Sequence, residues 1–251
     1  MKTTALISHL DEFLRINEYA DYGPQGLQVE AARDEIKRVA LAVDSAPAVI
    51  AAAAEWGADM LLVHHGLFWG PTQNISGPLG QRVRGLLGAD MHLYAAHLAL
   101  DGHDLVGNNA VLAQMFDILV ESWWCTPKNQ PIGVLGMAPA GTTLADLTAT
   151  VGEKLGAQPR VLAHGPAQVS QVAIVSGFGA NNIAEAAALG ADTFLTGETS
   201  HAQFWDASDY GLNLIYAGHY ATETVGVQAL GQHLQEKFTL ETRFFDFPTG
   251  M

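Results

Sequence analysis

The chain carries one strand–helix–strand pattern twice, and this repeat is the strongest constraint on its fold. In the first copy, an apolar strand at 39–43 precedes an Ala-rich helix, then Gly57-Ala58-Asp59 and a second apolar strand at 60–63. The second copy has the same parts in order: a strand at 172–175, a helix, Gly190-Ala191-Asp192 and a strand at 193–196. The first strand begins 18 positions before the glycine in both copies. This alternation predicts an α/β fold made of two similar halves.

Hydrophobic periodicity and turn residues extend each copy into half of the chain. Predicted strands lie near 38–43, 60–63, 91–95, 132–137, 159–163, 171–176, 192–196, 212–216 and 238–247, the last as an edge strand. Predicted helices lie near 4–16, 46–56, 78–88, 104–116, 143–155, 181–189, 200–208 and 222–236. Pro and Gly are frequent between Cys125 and Gly141, which marks this segment as the divider. The predicted halves are therefore 1–125 and 126–251.

The composition limits both the class of protein and its partners. With 251 residues, of which 49% are hydrophobic and 15% charged, the chain can bury a large core and is too apolar for disorder. Its formal net charge of −14 disfavours binding to a nucleic-acid backbone. No uncharged apolar run approaches the ~20 residues of a membrane span, and the N-terminal segment reads as an amphipathic helix. We therefore expect a cytoplasmic protein with no membrane partner, and its single cysteine, Cys125, suits a reducing compartment.

Two adjacent histidines, His64 and His65, end the second strand of the first copy. Adjacent strand residues point to opposite faces, so both can serve one site only at the strand's end, where Gly66 lets the chain turn. Strand ends are also where open α/β sheets bind ligands. An isolated His-His pair more often caps a strand, so this pair needs support from elsewhere in the chain.

That support comes from a pair of residues that occurs once in each half. His97 and Asp101 lie four positions apart after a predicted strand, and His219 and Glu223 repeat the spacing in the second half. A single pair of this kind is common on exposed helices, but two in matching repeats, with a His pair at another strand end, predict a metal site. Imidazole with carboxylate favours Zn, Mn, Fe or Co over Ca or Mg. We place this site at the strand ends.

Other motifs carry less chemistry. The chain has no Gly-rich phosphate loop with its lysine. Cys125 has no neighbouring base and reads as a buried structural thiol. Gly177-Phe178-Gly179 lacks the third glycine of a dinucleotide turn and reads as a tight strand-to-helix turn, while Asn108-Asn109 reads as a helix start.

Four motifs together resemble the Nif-three (Ngg-one-interacting factor three) family, whose bacterial short forms are labelled homologues of type 2 GTP cyclohydrolase I. The resemblance covers nearly the whole chain in order. It rests on Leu61-Leu-Val-His-His-Gly-Leu-Phe-Trp69, Tyr94-Ala-Ala-His-Leu-Ala-Leu-Asp101, Thr196-Gly-Glu198 and Ala217-Gly-His-Tyr-Ala-Thr-Glu223.

The resemblance implies a dinuclear metal centre between two interlinked α/β halves and a ring-shaped homohexamer. It implies two divalent ions per subunit, of Zn, Mn or Fe. The metal ligands carried over position by position are His64, His65, Asp101, His219 and Glu223, with Glu223 bridging both ions. His97 and Glu198 match family positions beside the metals. Many members have Pro after the histidine pair, where this chain has Gly66.

The leading functional hypothesis is a metal-dependent hydrolase of a small nucleotide-like or phosphorylated substrate. Two divalent ions can activate a water molecule and stabilise developing charge, and Glu198 or His97 would relay a proton or orient the ligands. His103 is a further candidate relay, with a solvated loop histidine as the simpler interpretation, and Tyr220 would stack on a base or pack beside the site. The alternative is a protein without turnover that binds or delivers metal, or acts as a regulatory scaffold.

Overall fold

A computed structural model describes all 251 residues, and the chain divides into two compact units. The first unit comprises Met1–Leu100 and Gly226–Phe247, and the second comprises Asp101–Val225 and Pro248–Met251. No helix has both the length and the apolar character needed to cross a bilayer.

The first unit is built on a five-stranded, mostly parallel sheet. Numbered along the chain, its strands are β1 (Gly26–Val29), β2 (Arg38–Asp44), β3 (Met60–His65), β4 (His92–Ala95) and β11 (Glu241–Phe244). They lie in the order β1-β4-β3-β2-β11, with only β1 antiparallel to its neighbour. Its helices are α1 (Thr3–Phe13), α2 (Pro47–Trp56) and α3 (Gly77–Gly88). The central strand β3 is buried from Met60 to His64, so the sheet forms the middle of this core.

The second unit contains a six-stranded mixed sheet. Its strands are β5 (Leu119–Trp124), β6 (Gly133–Met137), β7 (Arg160–Ala163), β8 (Gln171–Val175), β9 (Thr193–Thr196) and β10 (Asn213–Tyr216). The order is β5-β6-β8-β9-β10-β7, and the three strands β8, β9 and β10 are parallel. Its helices are α5 (Asn108–Met115), α6 (Leu144–Leu155), α7 (Ile183–Ala188) and α8 (Asp206–Asp209). Two further helices, α4 (Leu98–Asp101) and α9 (His219–Phe238), contain residues of both units.

The repeated Gly-Ala-Asp motif performs the same structural task in each unit. Gly57 and Gly190 follow α2 and α7 with φ of 76° and 86°, a left-handed conformation that glycine adopts without strain. The aspartate two positions later accepts two backbone N–H groups at the start of the neighbouring strand. Asp59 accepts those of Lys37 and Arg38, and Asp192 accepts those of Ser170 and Gln171. The sequence repeat therefore corresponds to a repeat in structure, as predicted.

The unit boundaries do not coincide with the predicted halves, 1–125 and 126–251. The Pro- and Gly-rich segment after Cys125 connects β5 to β6, which pair antiparallel, so it lies inside the second unit. The C-terminal strand β11 pairs with β2 and forms one edge of the first sheet. Its predicted position at an edge is confirmed, and two short strands, β1 and β5, were not predicted. The helix predicted at 104–116 begins only at Asn108.

Trp124, the last residue of β5, is buried in the second unit, where its indole N–H donates to Val134 and its ring contacts Phe194 edge-on at 5.5 Å. The exposed apolar side chains of that unit include Leu119 and Trp205.

A stack of rings in the first unit gives a pH-dependent contribution to stability. His9 of α1 and His233 of α9 meet at 3.0 Å between their Nε2 atoms, and Phe13 stacks on His233 with ring centroids 4.0 Å apart. Burial, then the charge of Lys237 and the proximity of His233, lower the pKa of His9 from 6.5 to about 4. The unfolded chain therefore binds a proton at His9 in this range while the folded chain does not.

We expect the free energy of unfolding to fall as the pH is lowered from 6.5 towards 4, partly because of His9. His9→Phe keeps a stacking ring without a titrating group, so its stability should depend less steeply on pH over this range. Urea unfolding of both proteins at several pH values tests this. If the free energy of unfolding fell equally steeply with pH in the two proteins, His9 would not be the source of the pH dependence.

Candidate metal centre

Three imidazoles converge in the first unit where its parallel strands end. His64 and His65 close β3, and His97 follows β4, the neighbouring strand. One ligand atom from each of the three lies within 4.8 Å of the others. Ring centroids are 4.8 Å apart for His64 and His65 and 4.9 Å for His64 and His97. The adjacent histidines thus lie together with His97 at a strand end, and we call these three residues the histidine cluster.

Each imidazole of the histidine cluster is held through Nδ1 by an oxygen of the protein. His64 donates to the carbonyl of Ala96 at 2.9 Å. His65 donates to Asp44 at 2.9 Å, and His97 donates to Asp21 at 2.8 Å. With the proton on Nδ1, the lone pair resides on Nε2, the atom that a metal ion would bind. Protein oxygens behind ligand imidazoles are the usual arrangement in metal sites, where they fix the tautomer and the ring orientation.

Asp21 and Gln25 hold the backbone that carries His97. Asp21 also accepts the N–H of Leu98, and Gln25 Oε1 accepts the N–H groups of His97 and Ala99 at 3.1 and 3.0 Å. Burial raises the pKa of Asp21, but hydrogen bonds to His97 and to backbone N–H groups outweigh burial and lower it. Asp21 is therefore held as a carboxylate.

Sequence reasoning missed Asp21, Gln25 and Asp44. Asp44 could have been identified from the sequence, because it directly follows the apolar residues of the first repeated strand. In the structure, β2 places it in register with His65. Asp21 and Gln25 lie outside helices and strands, where no periodicity marks them.

The second unit contains a histidine–carboxylate cluster at the start of α9. His219 and Glu223 lie one helical turn apart, with Nε2 and Oε1 separated by 3.1 Å. Glu198, which follows β9, accepts from His219 Nδ1 at 3.0 Å. Burial lowers the pKa of His219, but the hydrogen bonds and charges of Glu223 and Glu198 outweigh burial and raise it to about 9. We call these three residues the glutamate cluster.

Glu223 lies directly over Gly177 in the turn that follows β8. A Cβ atom at Gly177 would overlap Glu223 Oε1 and lie 3.2 Å from His219 Nε2. Gly177 has φ of +60° and donates its N–H to Thr222. The tight turn predicted for Gly177-Phe178-Gly179 is therefore present. The lack of a side chain at Gly177 leaves room for the Glu223 carboxylate.

Asp101 is held by the residue that precedes Gly177. Ser176 Oγ and Asn108 Nδ2 both donate to Asp101 Oδ1, at 3.0 and 2.8 Å. Asn109 accepts the N–H of Ser176 and donates to the carbonyl of Ile132. All of these side chains are buried. Asp101 and Glu223 thus contact consecutive residues of one turn, and Asn108-Asn109 holds a carboxylate in addition to starting α5.

We expect Asn108→Ala to weaken metal binding by roughly 10–100-fold, the usual cost of losing a partner behind a ligand. Oδ1 of Asp101 would lose one of its two donors, so the carboxylate would be less firmly oriented. Asn109→Ala is the matched control, because its side-chain amide holds backbone and not the Asp101 carboxylate group. Competition against a chelating dye measures both affinities, and equal losses would show that Asn108 acts only through the fold.

Three other residues singled out in the sequence have structural roles. His103 is buried, and its Nδ1 accepts the N–H groups of Leu105 and Val106 at 3.2 Å, so it organises a turn and is not a solvated loop histidine. Cys125 is buried, and burial, followed by the charges of Glu185 and Asp101, raises the pKa of its thiol to about 12. Such a thiol is a poor nucleophile at neutral pH. Tyr220 is buried in the second unit.

Gly66 is tied to Gln28 of β1. Gln28 Oε1 accepts the N–H of Leu67 at 2.7 Å, and a Cβ atom at Gly66 would overlap the Gln28 amide. Any side chain at position 66, proline included, therefore requires Gln28 to move. This explains in physical terms why glycine suits this position in this chain.

The donor sets of both clusters fit a divalent transition metal. Imidazole and carboxylate are ligands that Zn, Mn, Fe and Co share, and protein oxygens already fix the imidazoles. The 3.1 Å separation of His219 Nε2 and Glu223 Oε1 allows both to bind one ion at about 2.0–2.2 Å. These groups can therefore hold metal.

The fold and these clusters define a class: an α/β protein with histidine and carboxylate groups at the carboxyl ends of repeated parallel strands. The family model described as Duf34/NIF3 (NGG1p interacting factor 3) matches residues 1–249. The chain belongs to this family, which confirms the resemblance drawn from its motifs.

Relatives and solved structures agree with this membership. A Deinococcus radiodurans protein named GTP cyclohydrolase 1 type 2 homolog is 44% identical over 246 residues, which cover 98% of this chain and 93% of that protein. The crystal structure of TTHA1606 from Thermus thermophilus has a TM-score of 0.92 at 39% identity and covers 100% of both chains. Reduced HcgD from Methanocaldococcus jannaschii has a TM-score of 0.85 at 26% identity and covers 98% of both chains.

Proposed function

We propose that this protein binds two divalent metal ions per subunit and hydrolyses a small nucleotide-like or phosphorylated substrate. The proposed ligands are His64, His65, Asp101, His219 and Glu223. The observation that carries the proposal is the histidine cluster, in which three imidazoles are each held through Nδ1 and present ligand atoms within 4.8 Å of one another. A packed core has no need to bring three such rings together. The glutamate cluster contains Glu223, the carboxylate that the family resemblance implies for both ions.

The bound ions would lower the pKa of a water molecule and stabilise negative charge on the substrate. Within the protein, Glu198 holds the Nδ1 proton of His219 and so keeps Nε2 directed at Glu223. His97 is held by Asp21 with Nε2 as the atom that can accept a proton from the reacting groups. These contacts support roles for Glu198 and His97 in relaying a proton or orienting the ligands.

The substrate class follows from chemistry and from the relatives' name. No nucleophilic side chain with a partnered base is visible, since Cys125 is buried with a raised pKa. The printed name of the relatives, GTP cyclohydrolase 1 type 2 homolog, favours a nucleotide-like substrate. The net charge of −14 favours a small molecule over a nucleic acid.

We also propose a homohexamer, in which exposed apolar side chains such as Leu119 and Trp205 would be buried. Light scattering on the purified protein tests this assembly.

One observation favours the alternative, a protein that binds or delivers metal without turnover. The carboxylates beside the imidazoles are already engaged: Asp21 with His97, Asp44 with His65, and Glu198 with His219. A general base separate from these contacts is not evident at either cluster. A storage or delivery protein requires only the ligands and their supports.

The test is a metal analysis followed by an activity screen on the same sample. Protein purified without added metal should contain divalent ions and hydrolyse one of a panel of nucleotides and phosphoesters. Chelation should abolish this activity, and Mn, Zn or Fe should restore it. His65→Ala should abolish turnover with the fold retained, whereas His164→Ala, an exposed histidine outside both clusters, should not change it.

Two results would overturn the hydrolase. Full activity in the metal-free protein or in His65→Ala would show that the reaction does not need the metal. Absence of turnover, together with transfer of metal to a metal-free acceptor enzyme, would establish the delivery function instead.

A further inference from the structure

Two aromatic side chains flank the histidine cluster on its His97 side. Trp69 meets the His97 ring edge-on, with centroids 5.0 Å apart and planes at 87°, and lies 5.9 Å from the His65 ring. Tyr22 lies 6.4 Å from the His97 ring and is 49% exposed. Core packing accounts for a buried aromatic ring, but it does not account for a large ring that is half-exposed beside the imidazoles. We call Tyr22 and Trp69 the aromatic rim.

The aromatic rim is mounted on two loops that are bound to each other. Gly70 donates its N–H to the carbonyl of Tyr22 at 2.9 Å, and the indole N–H of Trp69 donates to Gly66 at 3.1 Å. Gly23 allows its backbone to approach Phe68, because a Cβ atom there would overlap the Phe68 carbonyl oxygen. The two loops and the Trp69 ring are therefore held in place before any ligand arrives, which lowers the entropic cost of binding.

The inner side of the rim leaves no room for a ligand. The cavity behind it, lined by Asp21, Gln25, Gln28 and His97 among others, measures about 10 Å³, which is at the lower limit for one water molecule. This cavity beside Trp69 and His97 is therefore too small for a substrate, and the exposed part of the rim is the ring of Tyr22.

The polar side chains around the rim are committed to the protein itself. Asp21 accepts from His97 and Leu98, Gln25 from two backbone N–H groups, and Gln28 bonds Leu67 and Pro24. Recognition of sugar hydroxyls requires hydrogen-bonding groups, whereas recognition of a planar ring requires only aromatic surface. Apart from the Tyr22 hydroxyl, the rim thus offers aromatic surface for stacking.

We infer that Tyr22 and Trp69 form a stacking subsite for a planar heteroaromatic ring of the substrate. The inference rests on the proposed function, because it takes the histidine cluster as the place where the substrate reacts. Of the two substrate classes in the proposed function, it selects the nucleotide-like one and assigns the residues that would contact its ring. In this arrangement the ring lies against the rim and the remainder of the molecule extends towards the imidazoles.

The probes are guanosine, which has the ring without phosphate, and ribose 5-phosphate, which has phosphate without the ring. Titration calorimetry on the metal-loaded protein should show guanosine binding, with Kd raised about tenfold or more in Trp69→Leu and in Tyr22→Ala, the usual effect of removing a stacking partner. Trp69→Phe should retain most of the affinity. Trp56→Phe, which alters a tryptophan packed on Phe245, should bind as the original protein does. Binding of ribose 5-phosphate should be the same in all four variants.

Metal content measured on each variant separates this inference from the proposed function. Tyr22→Ala removes a half-exposed ring, so it should retain the full metal content even if Trp69→Leu disturbs His97. Absence of guanosine binding to the metal-loaded protein, or unchanged affinity in both Trp69→Leu and Tyr22→Ala, would overturn the stacking subsite while leaving the metal centre in place. Loss of metal binding by the unmodified protein would overturn the proposed function itself.

Discussion

Glu223→Gln is expected to remove most of the metal from the purified protein. The amide keeps the size of the side chain but lacks the negative charge, and we propose that Glu223 binds both ions. The loss of affinity should therefore exceed the roughly 10–100-fold that follows removal of a residue behind a ligand. Asp101→Asn should mainly affect one ion and leave about half of the metal. Elemental analysis of protein purified without added metal measures both effects.

The control for this substitution lies on the same helix. Glu236→Gln changes an exposed residue of α9 that accepts a hydrogen bond from Gln232, so it alters the charge of the protein equally without touching either cluster. It should retain the original metal content. If Glu223→Gln also retained the full content, Glu223 would not be a shared ligand, and a single ion or none in the unmodified protein would remove the dinuclear proposal.

The parts of the fold that could be predicted from sequence are those governed by local pattern. The strands β2, β3, β8 and β9 are apolar runs bounded by Gly-Ala-Asp, and burial of these strands within their sheets requires that composition. The repeat was visible because both copies need a left-handed glycine and an aspartate at the same points. These constraints act within about 30 residues, so a reading of the sequence can find them.

The missed parts depend on pairings between distant residues. Strand β1 is only four residues long, Gly-Leu-Gln-Val, and pairs antiparallel at an edge, so its alternation is too short to identify a strand. Strand β5 carries Glu121 and Ser122 and is largely exposed. The return of β11 to the first sheet is set by its pairing with β2, about 200 positions earlier, and no local signal encodes that choice. For this reason the unit boundaries could not be derived from the Pro- and Gly-rich segment.

The candidate site divides in the same way. Groups at strand ends were found because a histidine or carboxylate after an apolar strand is conspicuous. The residues behind them were missed where they come from loops, as Asp21 does. The repeat also hides a change of chemistry: the position of His65 in the first copy is that of Glu198 in the second, and the position of Asp44 is that of Gly177. In the first unit a carboxylate supports a strand-end histidine, whereas in the second a strand-end carboxylate supports His219.

This exchange places a glycine, Gly177, under the Glu223 carboxylate. Its substitution therefore allows the effect on metal binding to be compared with the effect on stability. We expect Gly177→Ala to lose metal binding nearly as completely as Glu223→Gln, because the added Cβ atom overlaps Glu223 Oε1 and displaces the carboxylate. The free energy of unfolding should also fall, by about 1–2 kcal/mol, since alanine is strained in the left-handed conformation that Gly177 adopts at φ of +60°. Metal content and urea unfolding, measured on the same preparation, give the two quantities.

Gly156→Ala isolates the first effect from the second. Gly156 ends α6 with φ of +61°, and a Cβ atom there would meet nothing within 4 Å. Its backbone strain matches that of Gly177→Ala, so Gly156→Ala should show the loss of stability that strain alone causes, while only Gly177→Ala should lose metal. The two variants share the backbone strain and differ in the overlap with Glu223. Equal metal content in both variants would therefore mean that metal binding does not require the Glu223 carboxylate to lie over Gly177.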